Sequence, residues 1–190
     1  MNEFRDKWNR RWLERAVEPL VADSWLTAVC DLLPVGRALD LACGQGRNGL
    51  ELARRGFAVT AIDQSDVALA QLAATATAEG LQVDCQRCDL ETQPPALAHD
   101  YDLVLCLFFL HRPLLPWLLA AVRPGGLVLL RTFSSAGSFT PCELDASFVL
   151  EPGELLTVFA GWEILQHEEG REPSRKGGAL AGIIARKPFL

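Results

Sequence analysis

Short apolar runs alternate with longer stretches of helical periodicity over the first two thirds of the chain. Alternation of strands and helices predicts a parallel sheet with right-handed crossovers. Residues 101–110 form the most apolar run, which indicates a central strand covered on both faces. The predicted strands are 37–42, 57–62, 82–88, 101–110 and 127–133, and the predicted helices are 4–18, 19–33, 47–55, 66–79 and 113–122.

The C-terminal third departs from this alternation. A loop at 134–150 and a helix at 153–160 precede two further strand-like runs, 162–168 and 179–186, which are separated by a turn rich in glycine and charge. Two strands joined by a turn predict an antiparallel pair. We therefore expect an α/β fold with five parallel strands and a C-terminal antiparallel hairpin.

Composition and charge narrow the class of protein. The chain has 190 residues and a net charge of −6, which argues against a nucleic-acid surface, since such surfaces are normally basic. No apolar run reaches the roughly 18 residues of a membrane span, and the N-terminus lacks the apolar segment of a secretory signal. These features predict a single cytoplasmic domain over residues 1–190, with neither a nucleic acid nor a membrane as partner.

The six cysteines do not indicate a metal site. Cys85 and Cys88 form a C-x-x-C pair, but no second pair and no suitably spaced histidines follow. Free, buried thiols are the expectation in a cytosolic chain. Cys43, in a glycine-rich loop, and Cys106, at the end of a strand, are the two cysteines that we expect to face a ligand.

Residues 39–49 read LDLACGQGRNG, an apolar run followed by glycines and the start of a helix. Gly44 and Gly46 permit a tight turn, and their lack of a side chain lets a ligand approach the main chain closely. The second predicted strand ends at Asp63, where an acid would bind the hydroxyl pair of a ribose. The segment therefore predicts a nucleoside-containing cofactor.

The glycines alone also match the pattern of a nicotinamide or flavin site. However, the sequence D-x-A-C-G-x-G, followed by the acid Asp63, resembles the first two motifs of class I S-adenosylmethionine-dependent methyltransferases. An acid such as Asp40 beside the loop would repel a pyrophosphate, whereas it suits the cationic amino-acid end of S-adenosylmethionine. The charge pattern favours the methyl donor.

This resemblance extends over nearly the whole chain, and it is strongest to the small tellurite-resistance and thiopurine-type methyltransferases. It implies a Rossmann-like seven-stranded sheet with helices on both faces. C-D-L at 88–90 resembles the third motif, and the R-P-G-G turn at 123–126 resembles the turn after the fourth. The residues expected to contact the cofactor are Asp40, Ala42, Cys43, Gly44, Gly46, Arg47, Asn48, Asp63, Gln64, Asp89, Leu90 and Cys106.

The N-terminal residues 1–33 form a predicted helical segment. Phe4, Trp8 and Trp12 recur every four residues and share one stripe of a helix. Such a stripe can be core packing, but an N-terminal helix covers the donor in the resembled family. We therefore treat residues 1–33 as a lid within the single domain, with Trp8 and Trp12 as possible acceptor contacts.

The acceptor residues are less clearly marked in the sequence. His111 follows the central strand and suits a general base, although it can equally be a surface histidine that opens the H-R-P turn. Arg131 is expected in a buried strand, where it either pairs with an acid such as Glu163 or faces the substrate. Arg112 is similarly ambiguous. No N-P-P-Y-like motif follows the central strand, which disfavours amide or adenine nitrogen as the acceptor.

The sequence thus predicts in-line methyl transfer to a small molecule, with a soft sulfur, selenium or tellurium atom or an oxygen as the nucleophile. A soft anionic nucleophile needs no general base. Three alternatives stay open: an NAD-dependent oxidoreductase, a non-catalytic S-adenosylmethionine-binding regulatory module, and a nucleic-acid methyltransferase. The chain is expected to be a monomer or a homodimer.

Overall fold

The computed structural model describes residues 3–15, 19–30, 35–94, 96, 100–139 and 143–189. His99, Cys142 and the side chain of Phe4 lie outside the described residues. The helices are α1 (Glu3–Glu14), α2 (Ser24–Val29), α3 (Arg47–Arg54), α4 (Asp66–Ala78), α5 (Leu115–Ala121) and α6 (Glu154–Val158). The strands are β1 (Arg37–Leu41), β2 (Ala58–Asp63), β3 (Val83–Arg87), β4 (Tyr101–Leu107), β5 (Val122–Ser134), β6 (Glu163–Pro173) and β7 (Ala179–Arg186).

The strands form one sheet in the order β3-β2-β1-β4-β5-β7-β6. β1 pairs in parallel with β2, β2 with β3, and β4 with β5. β7 runs antiparallel to both β5 and β6. The predicted fold class, a seven-stranded Rossmann-like sheet with a C-terminal antiparallel hairpin, is confirmed.

The chain divides into two compact units, residues 1–97 and 98–190. The first unit contains β1 to β3 with α1 to α4. Four of the five residues of β1 are buried, as expected for a parallel strand that is covered on both faces. The fully buried large side chains of this unit include Leu39, Leu41, Leu50, Leu52, Ile62 and Leu72.

The second unit contains β4 to β7 with α5 and α6. Seven of the eight residues of β7 are buried because this strand lies between β5 and β6. β6 is the edge strand, and all its residues are half-buried or exposed. The fully buried large side chains of this unit include Leu103, Leu105, Leu118, Leu129 and Phe159.

The R-P-G-G segment at 123–126 lies within the bounds of β5, but the register of β5 against β4 shifts here, from Tyr101 opposite Val122 to Leu103 opposite Leu127. Gly125 has a φ of +73°, as a turn with proline before glycine requires. Gly125 N–H donates to the Lys187 carbonyl (3.0 Å) and Lys187 N–H donates to the Gly126 carbonyl (2.9 Å). These bonds continue the antiparallel pairing beyond β7. The helix predicted at 19–33 begins only at Ser24, because the Asp23 carboxylate accepts the N–H of Trp25 (3.0 Å) and so caps α2.

Among the described residues, no helix is both long enough and apolar enough to cross a lipid bilayer.

Candidate functional site

The carboxylate of Asp63, at the end of β2, organises the glycine-rich loop after β1. Its Oδ2 accepts the N–H of Gly44 (2.8 Å), and its Oδ1 accepts the N–H of Ser65 (2.8 Å). Burial raises the pKa of Asp63, while these backbone donors oppose the rise. The backbone of Gln64 is a third donor to this carboxylate, which has about four acceptor positions, so the group can still accept a hydrogen bond from a ribose hydroxyl.

Asp40 lies 2% exposed near the end of β1. Its Oδ2 accepts the N–H of Gly49 (3.0 Å) in the first turn of α3. Burial raises the pKa of Asp40 to about 7; the Gly49 N–H lowers it, the Asp63 charge raises it and the Arg47 charge lowers it. The carboxyl group therefore stabilises the start of α3 and is poised to change its charge near neutral pH.

The loop requires glycine at two positions for different reasons. Gly44 has φ +55°, and a Cβ there would lie 2.6 Å from Cζ2 of Trp12. Gly46 has φ +76°, and a Cβ there would clash with Cδ1 of Leu72. Ala42 also has a positive φ, 52°, which is unfavourable for a residue with a Cβ. The loop thus packs closely between the indole ring of Trp12 and the side chain of Leu72 in α4.

Helix α1 contacts this loop within the first unit. Trp8 and Trp12 stack with their ring centroids 6.2 Å apart. Ser65 Oγ donates to Asn9 Oδ1 (2.6 Å), and Gln71 Nε2 donates to the Trp12 carbonyl (3.4 Å). None of the α1 side chains that the structure describes is fully buried, so these polar contacts contribute to its position. Sequence reasoning missed Asn9, although it lies next to Trp8 on the predicted lid.

Two predicted cofactor residues bind the segment before α2. Asn48 Oδ1 accepts the N–H of Asp23 (2.8 Å). Arg47 Nη1 donates to the Val21 carbonyl (3.1 Å), and its Nη2 lies 3.6 Å from Asp23 Oδ2. Both side chains therefore tie residues 21–23 to the first turn of α3. The signal for Asp23 was available, since an acid just before an apolar helical run is a common cap.

The end of β3 lies beside Asp63. Cys88 N–H donates to the Asp63 carbonyl (3.0 Å). Asp89 is half-buried and its Oδ1 accepts the N–H of Glu91 (3.1 Å), while Leu90 is 5% exposed. The first unit thus places the ends of β1, β2 and β3, with Asp40, Asp63 and Asp89, at one edge of its sheet. The thiol of Cys43 is buried there, and burial raises its pKa well above the ordinary value.

The residues of this edge fit an adenosine-containing donor. Two buried polar atoms at the loop, Nε1 of Trp12 and Oε1 of Gln64, have no hydrogen-bond partner. Buried polar atoms are normally paired, so these two are available for a ligand's polar groups. Together with the remaining acceptor position of Asp63, they provide both a donor and acceptors.

In the second unit, Cys106 is buried near the end of β4, and its Sγ lies 3.6 Å from the Phe109 carbonyl. His111 is half-buried and precedes a 3₁₀ turn, Arg112–Leu114, where its carbonyl accepts the N–H of Leu114 (2.9 Å). Its backbone opens the H-R-P turn, as one of the two sequence interpretations stated.

Arg112 connects three segments of the second unit. Its Nε and Nη2 donate to the two oxygens of Glu154 (both 2.8 Å), and its other donors reach the carbonyls of Ser147 and Val149 (both 2.9 Å). The side chain therefore joins the turn after β4 to the loop before α6. Hydrogen bonds to Glu154 raise the pKa of Arg112.

Arg131 is 4% exposed within β5 and pairs with Glu172 of β6. Glu163, the acid named in the sequence analysis as an example of a partner, does not pair with Arg131. It accepts a hydrogen bond from Arg186 (2.8 Å). The register explains the partner of Glu163, which lies opposite Arg186. It does not by itself explain Glu172, because Glu168 shares a row with Arg131 through Gly182 and the register of β6 against β7 shifts between Glu169 and Pro173. Among the described residues, no group of three or more histidine, cysteine or acidic side chains is arranged to bind a metal ion.

Comparison with known proteins assigns the family. The family model described as "Tellurite resistance protein TehB" matches residues 16–178. The chain belongs to the TehB family. The predicted resemblance to class I methyltransferases of the tellurite-resistance type is thereby confirmed.

Individual relatives agree with this assignment. The "Probable S-adenosyl-L-methionine-dependent methyltransferase TehB" of Haemophilus influenzae is 30% identical over 138 residues, which cover 70% of this chain and 48% of that protein. "Hemagglutinin 1" of Eikenella corrodens is 34% identical over 140 residues, which cover 70% of this chain and 46% of the relative. The chain spans about half the length of these curated relatives.

The crystal structure of TehB from Haemophilus influenzae superimposes with a TM-score of 0.74 at 25% identity, and the match covers 87% of this chain and 62% of that chain. The TehB fold is therefore confirmed in three dimensions. The expected cofactor, S-adenosylmethionine, is the one on which the Haemophilus TehB proteins are described as depending.

Proposed function

We propose that this chain transfers the methyl group of S-adenosylmethionine to a small-molecule acceptor by in-line displacement. The acceptor atom is a soft sulfur, selenium or tellurium nucleophile, or an oxygen. Membership of the TehB family supports the donor and the reaction type. The tellurite-resistance description of the family supports a soft nucleophile.

The observation that carries the proposal is the hydrogen bond from Gly44 N–H to Asp63 Oδ2, at 2.8 Å. It places a carboxylate with spare acceptor capacity directly beside the main chain of the glycine-rich loop. Nearby, Trp12 Nε1 and Gln64 Oε1 are buried without partners. Such a set suits a ligand with a hydroxyl pair, a purine and an amino-acid group.

When bound, the cofactor supplies an electrophilic methyl group on a sulfonium. The chain then has three tasks: to bind the adenosine part through Asp63 and Gln64, to balance the cationic part through Asp40, and to exclude water. Correct orientation of the reacting atoms can contribute roughly 7–11 kcal/mol in well-oriented systems. Trp8 and Trp12 suit water exclusion because their stacked rings belong to the helix above the loop.

A general base is needed only for a hydroxyl or an uncharged thiol acceptor. For such acceptors we assign the role to His111, which follows the carboxyl end of β4, the end of a parallel strand that usually faces a ligand. A thiolate or a tellurium or selenium anion needs no base. His111→Gln should therefore slow transfer to hydroxyl acceptors and leave transfer to thiolates unchanged. If the variant and wild type methylate hydroxyl acceptors at the same rate, His111 is not the general base.

The direct test has two stages. Calorimetric titration with S-adenosylhomocysteine, with NADH as the control ligand, tests the donor site. Release of S-adenosylhomocysteine is then measured with tellurite, selenite, thiols and a catechol as acceptors. We expect binding of S-adenosylhomocysteine alone, and turnover with at least one soft acceptor. NADH binding would support the oxidoreductase alternative, whereas donor binding without turnover on any acceptor would support a regulatory module.

A further inference from the structure

Arg131, a buried arginine, lies beside the carboxyl end of β4 in the second unit. Arg131 is opposite Leu107, the last residue of that strand, and its carbonyl accepts the N–H of Phe108 (2.7 Å). Ligands of open α/β sheets bind outside the carboxyl ends of the strands. The side chain of Arg131 is 4% exposed, so its guanidinium group has been removed from water at this position.

Two aromatic rings lie near this arginine. Phe108 has φ +59°, an unfavourable conformation for a residue with a bulky side chain, and 38% of it is exposed. Its ring meets the ring of Phe133 edge-on, with centroids 6.0 Å apart. Phe133 lies two residues beyond Arg131 and therefore on the same face of β5. The strained backbone directs an aromatic ring toward this face.

Arg131 is buried, whereas Glu172, the carboxylate that contacts it, is largely exposed to water. Glu172 contacts the guanidinium group, and 55% of the Glu172 side chain is exposed. An exposed carboxylate gains only modest energy from such a contact, because water and salt screen its charge and fixing its side chain costs entropy. Burying the arginine is costly, and apolar residues often replace buried ion pairs without loss of stability. A buried arginine with an exposed carboxylate beside it is therefore compatible with a role in ligand binding as well as in stability.

We propose that Arg131 determines acceptor specificity by binding the carboxylate or another oxyanion group of an aromatic methyl acceptor, which takes the place of Glu172. Phe108 and Phe133 contact the acceptor's ring. Glu172 neutralises the guanidinium group when no acceptor is bound. This inference rests on the proposed function, because it names the acceptor class of the same reaction.

Binding is tested first, with probes that cannot be methylated by the proposed route. Benzoate and its uncharged analogue benzamide are titrated into protein saturated with S-adenosylhomocysteine. Because a hydrogen bond to a charged group contributes about 1.5–3 kcal/mol, we expect wild type to prefer benzoate by about tenfold or more. Arg131→Met should abolish the preference, Arg131→Lys should retain part of it, and Glu172→Gln should tighten benzoate binding, since the competing carboxylate is gone.

An ion pair between β6 and β7 gives a matched control. Arg186 and Glu163 lie 2.8 Å apart with 36% and 59% of their side chains exposed. Arg186→Met and Glu163→Gln should leave benzoate binding unchanged. If wild type binds both probes equally, or if Glu172→Gln has no effect on benzoate, the proposal is wrong, even where Arg131→Met fails to fold.

Turnover then separates this inference from the reaction itself. With 4-mercaptobenzoate and 4-mercaptobenzamide as acceptors, Arg131→Met should raise KM for the acid only, with kcat nearly unchanged. A loss of kcat for both acceptors would indicate a structural role and contradict the proposal. If S-adenosylhomocysteine does not bind, the proposed function fails, while benzoate titration of the ligand-free variants still decides whether Arg131 binds the anion.

Discussion

The amide N–H of Gly44 donates to Oδ2 of Asp63 over 2.8 Å, and this bond connects the loop after β1 to the end of β2. The same carboxylate accepts the N–H of Ser65 at the start of α4. One buried side chain therefore sets the relative positions of three chain segments. It also leaves acceptor capacity for the hydroxyl groups of a ligand.

Asp63→Asn should weaken S-adenosylhomocysteine binding by about tenfold or more, because a charge-assisted bond contributes roughly 1.5–3 kcal/mol. The asparagine keeps one carbonyl oxygen for a backbone amide but turns a donor toward the other amide, so some stability should also be lost. Asp63→Ala is less informative, since it would leave two buried amides unpaired. Calorimetry gives the dissociation constant, and thermal melting checks the fold.

Asp66→Asn is the matched control for this variant. Asp66 is the first residue of α4, 52% exposed, and it pairs with Arg87 at 3.2 Å. The Asp66→Asn protein should bind S-adenosylhomocysteine with the affinity of wild type. Equal affinity of the Asp63→Asn protein and wild type would contradict the assignment of the ribose site.

Trp12 should report donor binding by its fluorescence. Its ring lies on Gly44, with Nε1 buried and unpaired, so a ligand at the loop must change its surroundings. Titration with S-adenosylhomocysteine should alter tryptophan emission in wild type and lose most of that change in Trp12→Phe. Trp117→Phe, in α5, should behave like wild type. A full change that persists in Trp12→Phe would show that the ligand binds elsewhere.

Asp40 should make stability depend on pH. Its pKa is about 7 in the folded chain, against an ordinary value of 3.8. Between about pH 4 and pH 7 the folded protein retains a proton that the unfolded chain has lost, so stability falls as pH rises through this window and is level above it. Urea unfolding between about pH 5 and pH 8 should show a smaller loss in Asp40→Asn than in wild type. Identical losses would contradict the raised pKa.

Donor affinity should have the opposite pH dependence. A cationic ligand prefers the ionised carboxylate, so binding of S-adenosylmethionine should strengthen as pH rises toward about 7. Calorimetry in buffers of different ionisation enthalpy should detect proton release on binding below that pH. The release should decrease in Asp40→Asn.

Arg112 should act on stability and not on the donor. Arg112→Met removes hydrogen bonds to Glu154 and to two carbonyls, and should lower the free energy of unfolding by about 1–3 kcal/mol. Its affinity for S-adenosylhomocysteine should equal that of wild type. A stable variant with altered acceptor KM would instead support the acceptor role expected from the sequence.

The sequence by itself determined the fold class and the position of the donor loop. Apolar runs separated by helical stretches predict a parallel sheet, because each pattern permits only one way of burying its apolar side chains. Asp40, the glycines and Asp63 were recognisable because their chemistry depends on local spacing: a tight turn after one strand and an acid at the end of the next. Ser65 directly precedes the predicted helix 66–79, where serine is a typical N-cap, and its Oγ accepts the N–H of Ala68 (3.1 Å).

Only the tertiary structure decided which distant side chains meet. Glu172 and not Glu163 pairs with Arg131. The register places Glu163 opposite Arg186 and shifts between Glu169 and Pro173, and neither feature is readable from one strand alone. The contact of Trp12 with Gly44 likewise depends on how α1 packs against α4. Local pattern specifies elements and their ends, whereas long-range pairing depends on packing and register summed over the whole fold.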